Sequence, residues 1–150
     1  MSPTGAEHGS TTNRLSGYAT TFALENDLGE GFAAETGFLI ARNPDTTLAP
    51  DWAFIVKSRL PDLIPGKFMP VVPDLVLETR SPNDTEQEVA DKVQEWLQAG
   101  VRMVWELDPK RRILTVYRPG EAPRALGIDD TFSGEEILPG FALPIRRLFP

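Results

Sequence analysis

The spacing of apolar positions changes several times along the chain, and each change marks an element. From Glu7 to Leu28, the residues Leu15, Tyr18, Ala19, Phe22 and Ala23 recur at three- and four-residue intervals. That period predicts an amphipathic helix ended near Gly29. Gly31 to Ile40 (GFAAETGFLI) reads as a strand bounded by the turn-forming Arg42-Asn43-Pro44-Asp45. Asp51 to Val56 (DWAFIV) is a short apolar strand, and Pro50 ahead of it suits a strand start. After a loop from Leu60 to Pro70 punctuated by Pro and Gly, the run Val71–Thr79 (VVPDLVLET) is apolar at both parities. Such a run belongs to a central strand covered on both faces.

Ser81-Pro82-Asn83-Asp84 breaks that strand, and Asp84 or Thr85 then caps a helix over Glu86–Ala99. Val89, Val93, Trp96 and Leu97 form its apolar stripe, and Gly100 is the stop. Val101–Leu107 (VRMVWEL) is a strand, Asp108-Pro109-Lys110-Arg111 a turn, and Arg112–Tyr117 the returning hairpin partner. Beyond Pro119 the chain is loop-rich, with short strands expected near Arg124–Leu126 and Glu136–Leu138. The order is α-β-β-β-α-β with a carboxy-terminal β appendage, an α/β fold around a mixed central sheet.

Composition narrows the chemistry. With 150 residues, 41% hydrophobic and 25% charged, the chain has the size and make-up of one globular domain, expected to span residues 1–150. Cysteine is absent, so disulfides and thiolate metal sites are excluded. His8 is the one histidine, which rules out a histidine-rich zinc cage. Any metal must therefore sit on oxygen ligands, which suits magnesium, manganese or calcium. No leader-like or membrane-spanning run is apparent, so a cytoplasmic location is expected. The net charge of −7 argues against non-specific binding to nucleic acid, although a local basic groove is compatible with an acidic whole.

Carboxylates within or beside buried strands carry the functional signal. Glu78 interrupts an apolar strand, and a buried carboxylate needs a partner, a proton or a metal. The alternative is a Glu on the solvent side of an edge strand, which the apolar flank VVPDLVL disfavours. Asp51 follows Pro50 and Asp74 follows Pro73, each leading into an apolar strand; a local turn role is the alternative for both. Asp74 and Glu78 lie on one strand face but roughly 13 Å apart, too far to share one magnesium ion. Asp51 on the neighbouring strand can meet Glu78, so Asp74 ranks second. Arg80, two residues after Glu78, points to the same face. Lys92 stands beside the helix stripe and can snorkel toward the strand ends, the alternative being a surface pair with Glu88 or Glu95.

The string PDLVLETRSPND, followed by Lys92-x-x-x-Trp96 and AGVRMVWELDP, resembles the Uma-two family of restriction-endonuclease-like proteins, within the PD-(D/E)XK nuclease superfamily. APDWAFI and GFAAETGFLI resemble the family's preceding strands, so the likeness covers roughly residues 5–118. It implies the αβββαβ core already read from periodicity. It also implies that Asp51 and Glu78 are catalytic carboxylates holding Mg2+ or Mn2+. The lysine that usually follows that Glu by two residues is displaced in this family to the next helix, here Lys92. Two departures stand out. An accessory amino-terminal extension common in the family is expected to be missing here. Arg80 also occupies a position where the superfamily has lysine and this family usually has an apolar residue.

The leading functional expectation is metal-dependent hydrolysis of DNA phosphodiester bonds by Asp51, Glu78 and Lys92. Arg80, Glu35 and Glu7 are supporting candidates, with Asp74 in reserve. The rival reading is a non-catalytic binding or assembly module retaining the nuclease fold, favoured by the net acidity and by the small number of lysines. Hydrolysis of another phosphate ester is a third reading. A homodimer is expected, both because nucleases of this type pair to cut two strands and because ILPGFALPIRRLF is apolar for a late, loop-rich segment.

Overall fold

A computed structural model describes residues 3–150 of the chain. Its elements in order are α1 (Ala6–Glu25), β1 (Gly29–Phe32), β2 (Phe38–Ala41), β3 (Thr46–Leu48), β4 (Trp52–Val56), β5 (Leu75–Thr79), α2 (Glu86–Ala99), β6 (Met103–Asp108), β7 (Ile113–Tyr117), β8 (Arg124–Leu126), β9 (Thr131–Ser133) and β10 (Ala142–Pro144). Six strands form one mixed sheet in the order β1-β4-β5-β6-β7-β8. β5 and β6 run parallel, and α2 is the crossover between them; every other neighbour in that sheet is antiparallel. α1-β1-β4-β5-α2-β6 is thus the expected αβββαβ core, with β2 and β3 inserted as a hairpin.

Alternation along the strands divides the interior into two layers. On one face Trp52, Phe54, Leu77, Trp105 and Leu107 pack against Leu15, Ala19 and Ala23 of α1 and against the carboxy-terminal strands. On the other, Ala53, Ile55, Val76 and Val104 pack against Val93 and Trp96 of α2 and Phe38 of β2. A sheet covered on both faces explains why β5 is apolar at both parities, with Glu78 and Thr79 its exceptions. Val93 and Trp96 are buried, while Val89 and Leu97 flank them half-buried; each fully buried side chain contributes roughly 1.5–3 kcal/mol. Of the two candidate caps, Thr85 is the one used. Its hydroxyl accepts the Glu88 amide, and the Glu88 carboxylate accepts the Thr85 amide, a capping box that sets where α2 starts. Gly100, at φ 109°, ends it. Asp84 accepts the Ser81 amide instead.

Several expected boundaries are corrected. GFAAETGFLI is two strands: a turn centred on Ala33–Thr36, closed by Thr36 onto the Ala33 carbonyl, separates β1 from β2. The halves then pair with different partners, β1 with β4 and β2 with β3. The third expected strand starts at Leu75 rather than Val71, because Pro73 brings no ladder donor and Asp74 turns its carboxylate to the Val56 amide. Glu136–Leu138 is a turn between β9 and β10, with Leu138 bonded to Gly134 and Phe141 to Leu138. Tyr18, placed on the α1 stripe by spacing, is exposed; the buried line is His8, Thr11, Leu15, Ala19 and Ala23. The carboxy-terminal apolar run needs no partner to cover it, since Phe141, Leu143, Ile145 and Leu148 are buried in the chain's own core. No helix of the described residues is long and apolar enough to cross a membrane.

Candidate active site

Register and parity bring the site together. Trp52 pairs with Leu77, so one step further the antiparallel register sets Asp51 opposite Glu78. Directly opposed residues have Cβ atoms about 4.5–5.5 Å apart. The parallel register on the other side sets Glu106 beside Glu78. By alternation Glu78 and Glu106 follow Val76 and Val104 onto the α2 face, where that helix lays Lys92 and Trp96 over them. The strand ends thus gather two neighbouring carboxylates, a third one strand away and a cation on the covering helix.

Each group is held by specific contacts. One Glu78 oxygen accepts the Trp96 indole N–H at 3.2 Å, and the other lies 3.3 Å from the Lys92 ammonium. Lys92 therefore takes the cross-element partner and not a neighbour on its own helix. The Asp51 carboxylate accepts the Thr79 amide at 2.7 Å, which ties the start of β4 to the end of β5. Burial pushes the Glu78 carboxyl up to about 7; the Asp51 charge adds to that rise, while Lys92 and the Trp96 bond work against it. The pair lifts the Lys92 ammonium above its ordinary value, chiefly through the Glu78 charge.

The remaining candidates divide. Arg80 does line the same cleft as Glu78 and Lys92, but three carboxylates engage it: Glu86, Glu106 at 2.9 Å and Asp108 at 3.8 Å. Asp74 is buried at the opposite end of β5, held by Arg59, by Arg102 and by the Val56 amide, and serves the fold. Glu35 lies in the exposed turn after β1 at φ 70°, and Glu7 is exposed on α1; neither is placed among the site residues. Two contributors escaped the sequence reading. His8 is buried, with Nε2 3.1 Å from the Thr79 carbonyl and 3.7 Å from the Asp51 carboxylate. Since both neighbours are acceptors, Nε2 carries the proton in that contact. Glu106 is the second; a carboxylate inside the apolar run VRMVWEL is the very signal that singled out Glu78.

Glu106 is buried to 3% exposure, and burial raises its pKa against the opposing pull of Arg80. Its second oxygen and the Arg80 Nε have no hydrogen-bond partner among the described residues. Whether a divalent cation suits the cleft turns on its donors. Asp51 and Glu78 offer hard oxygen atoms on adjacent strands, and the Asp51 charge adds to the burial that chiefly raises the Glu78 pKa. Among the described residues no three acidic or imidazole groups converge on one point. A site of two carboxylates completed by water and substrate oxygen suits magnesium, which usually takes only one or two carboxylates from protein.

A crystal structure described as "a putative nuclease belonging to DUF820", from Anabaena variabilis, superposes with a TM-score of 0.84 at 22% identity, covering 99% of this chain and 83% of that one. At this identity the likeness establishes the fold. No curated protein matches the chain. Residues 1–146 match the model of the Uma2 family, whose description is "Putative restriction endonuclease", and the chain belongs to that family.

Proposed function

We propose that this chain is a magnesium- or manganese-dependent endonuclease that hydrolyses DNA phosphodiester bonds. Membership of the family supports a nuclease-like function. The observation that carries the finer reading is the register of β4 against β5, which sets Asp51 opposite Glu78, with the Lys92 ammonium 3.3 Å from Glu78. A divalent ion on those two carboxylates would supply Lewis-acid charge and lower the pKa of a bound water.

The chain's own groups have distinct tasks in this reading. Asp51 is oriented by the Thr79 amide and faces His8, so its free oxygen has little rotational freedom. Glu78 is oriented by Trp96, which leaves the oxygen facing Lys92 to serve as ligand. Lys92 neutralises charge growing on the scissile phosphate and orients the attacking water. Arg80, anchored by Glu106 and Glu86, presents a second cation at the same cleft.

The test is a magnesium titration followed by melting temperature. Wild type should show a saturable rise, since an ion that binds only the native state stabilises it. Asp51→Asn and Glu78→Gln should abolish the rise. Lys92→Ala should keep it while losing cleavage of plasmid and linear DNA. A rise unchanged by Asp51→Asn would overturn the site. A normal rise without cleavage of any DNA would favour the non-catalytic module.

Pairing of two copies follows from the need to cut two strands. Leu63, Ile64 and Phe68, 58–65% exposed, are three exposed apolar side chains close together in the β4–β5 connection and would serve it. A monomeric mass by light scattering at micromolar concentration would overturn the dimer.

A further inference from the structure

β6 does not end at Glu106. It continues to Asp108 and turns through Pro109, Lys110, Arg111 and Arg112 into β7, so three successive cations stand at the tip of this hairpin. Because β5 and β6 are parallel, that tip lies at the same end of the sheet as Asp51, Glu78 and Arg80. The turn begins at Pro109, three residues past Glu106, which places the tip roughly 10 Å beyond the carboxylates at about 3.3 Å per residue. An open groove runs from the tip to Arg80 at the border of the carboxylate cleft; it is lined by His8, Arg80, Ser81, Asp108, Lys110 and Arg111, among others.

The tip is pre-shaped and most of its charge is free. One Asp108 oxygen accepts the backbone amides of both Lys110 and Arg111, fixing the turn, and Arg112 closes it at φ 56°. All three cations are exposed. Among the described residues Lys110 and Arg112 make no ion pair, and Arg111 reaches only the Asp108 it flanks, at 4.0 Å. Of the groove's carboxylates, Glu86 and Asp108 hold Arg80 and Asp84 holds the Ser81 amide, while Glu7 stands exposed on the α1 side of the groove, across from the tip. Among the described residues Lys110 and Arg112 thus stand as unpaired cations at the tip, in a chain whose net charge is −7.

We infer that this hairpin tip is a binding site for the DNA backbone, with Lys110 and Arg111 contacting phosphates a few nucleotides from the scissile one. The inference rests on the nuclease reading and adds to it where the flanking strand runs. At about 3.4 Å of helix axis per phosphate on one strand, roughly 10 Å spans about three nucleotides. A local basic tip of this kind reconciles overall acidity with a polyanionic substrate. It holds the backbone without reading sequence, as phosphate contacts do.

The experiment measures anisotropy of a fluorescein-labelled 20-base-pair duplex as a function of salt, with calcium in place of magnesium to withhold cleavage. The proteins are wild type, the double variant Lys110→Glu/Arg111→Glu, and a control of equal charge change, Arg146→Glu/Arg147→Glu, at exposed positions near the carboxy terminus. The hairpin variant is expected to bind at least about tenfold more weakly, and its log–log salt slope should fall by about 2, one unit per lost phosphate contact. The control should stay within about twofold of wild type. If wild type binds and the hairpin variant matches it, or if both variants weaken equally, the inference is overturned and the nuclease reading stands. If wild type binds no duplex, the DNA-hydrolysing reading fails and takes the inference with it.

Discussion

Glu78→Gln separates the electrostatic cost of the site from its packing. Unfolded, Glu78 releases its proton near 4.5; folded, burial and the neighbouring Asp51 hold that proton until about 7. Between those values the native state keeps a proton that the unfolded state has lost, so stability falls as pH rises across the window and is level above it. At about 1.4 kcal/mol per pH unit the shift corresponds to roughly 3 kcal/mol, a large share of a typical domain's 5–15 kcal/mol. Glutamine keeps the shape and the acceptor for the Trp96 indole, and it frees Lys92, already half-exposed, to water. Urea unfolding in EDTA, at pH values from 4.5 to 8.5, should show the variant equal to wild type at the acid end. Near pH 8 it should be about 2–3 kcal/mol more stable, with the same denaturant slope. A difference that does not change with pH, or a variant less stable at pH 8, would refute the reasoning. Lys92 would then compensate the buried charge in full.

Three further outcomes follow from the contacts described. Trp96→Phe keeps most of the packing but removes the N–H that favours ionised Glu78, so the upper limit of the pH window should move above about 7 in the same unfolding series. Asp74→Asn strips charge from the carboxylate that Arg59 and Arg102 share and should cost about 2–3 kcal/mol, while leaving the magnesium-induced rise in melting temperature unchanged. His8→Ala leaves the Thr79 carbonyl without its imidazole donor and should cost about 1–2 kcal/mol. Hydrogen exchange should locate that loss in the first turns of α1, and a uniform loss of protection across the sheet would show that His8 does not act there.

The sequence by itself determined the order of elements, because each long element has a local cause. The Thr85–Glu88 box and Gly100 bound α2, and the double-parity apolar run of β5 demands cover on both faces. It also singled out Glu78 as a carboxylate inside an apolar run and Asp51 as one at the start of the strand before it. Tertiary structure decided what periodicity cannot express. GFAAETGFLI is split because its two halves find different partners at a distance in the chain, β4 and β3. The late segment around Glu136 turns instead of extending, because Ile137 and Leu138 are buried from within a turn. Arg80 was legible as a cation on the correct face, but not as one surrounded by Glu86, Glu106 and Asp108. His8 was invisible as a site residue, for its partner Thr79 lies 71 positions away and only the packing of α1 across the strand ends brings them together. Local sequence specifies backbone propensity and the face a residue takes; which groups meet is decided by register and by how helices cross the sheet, and those are properties of the whole chain.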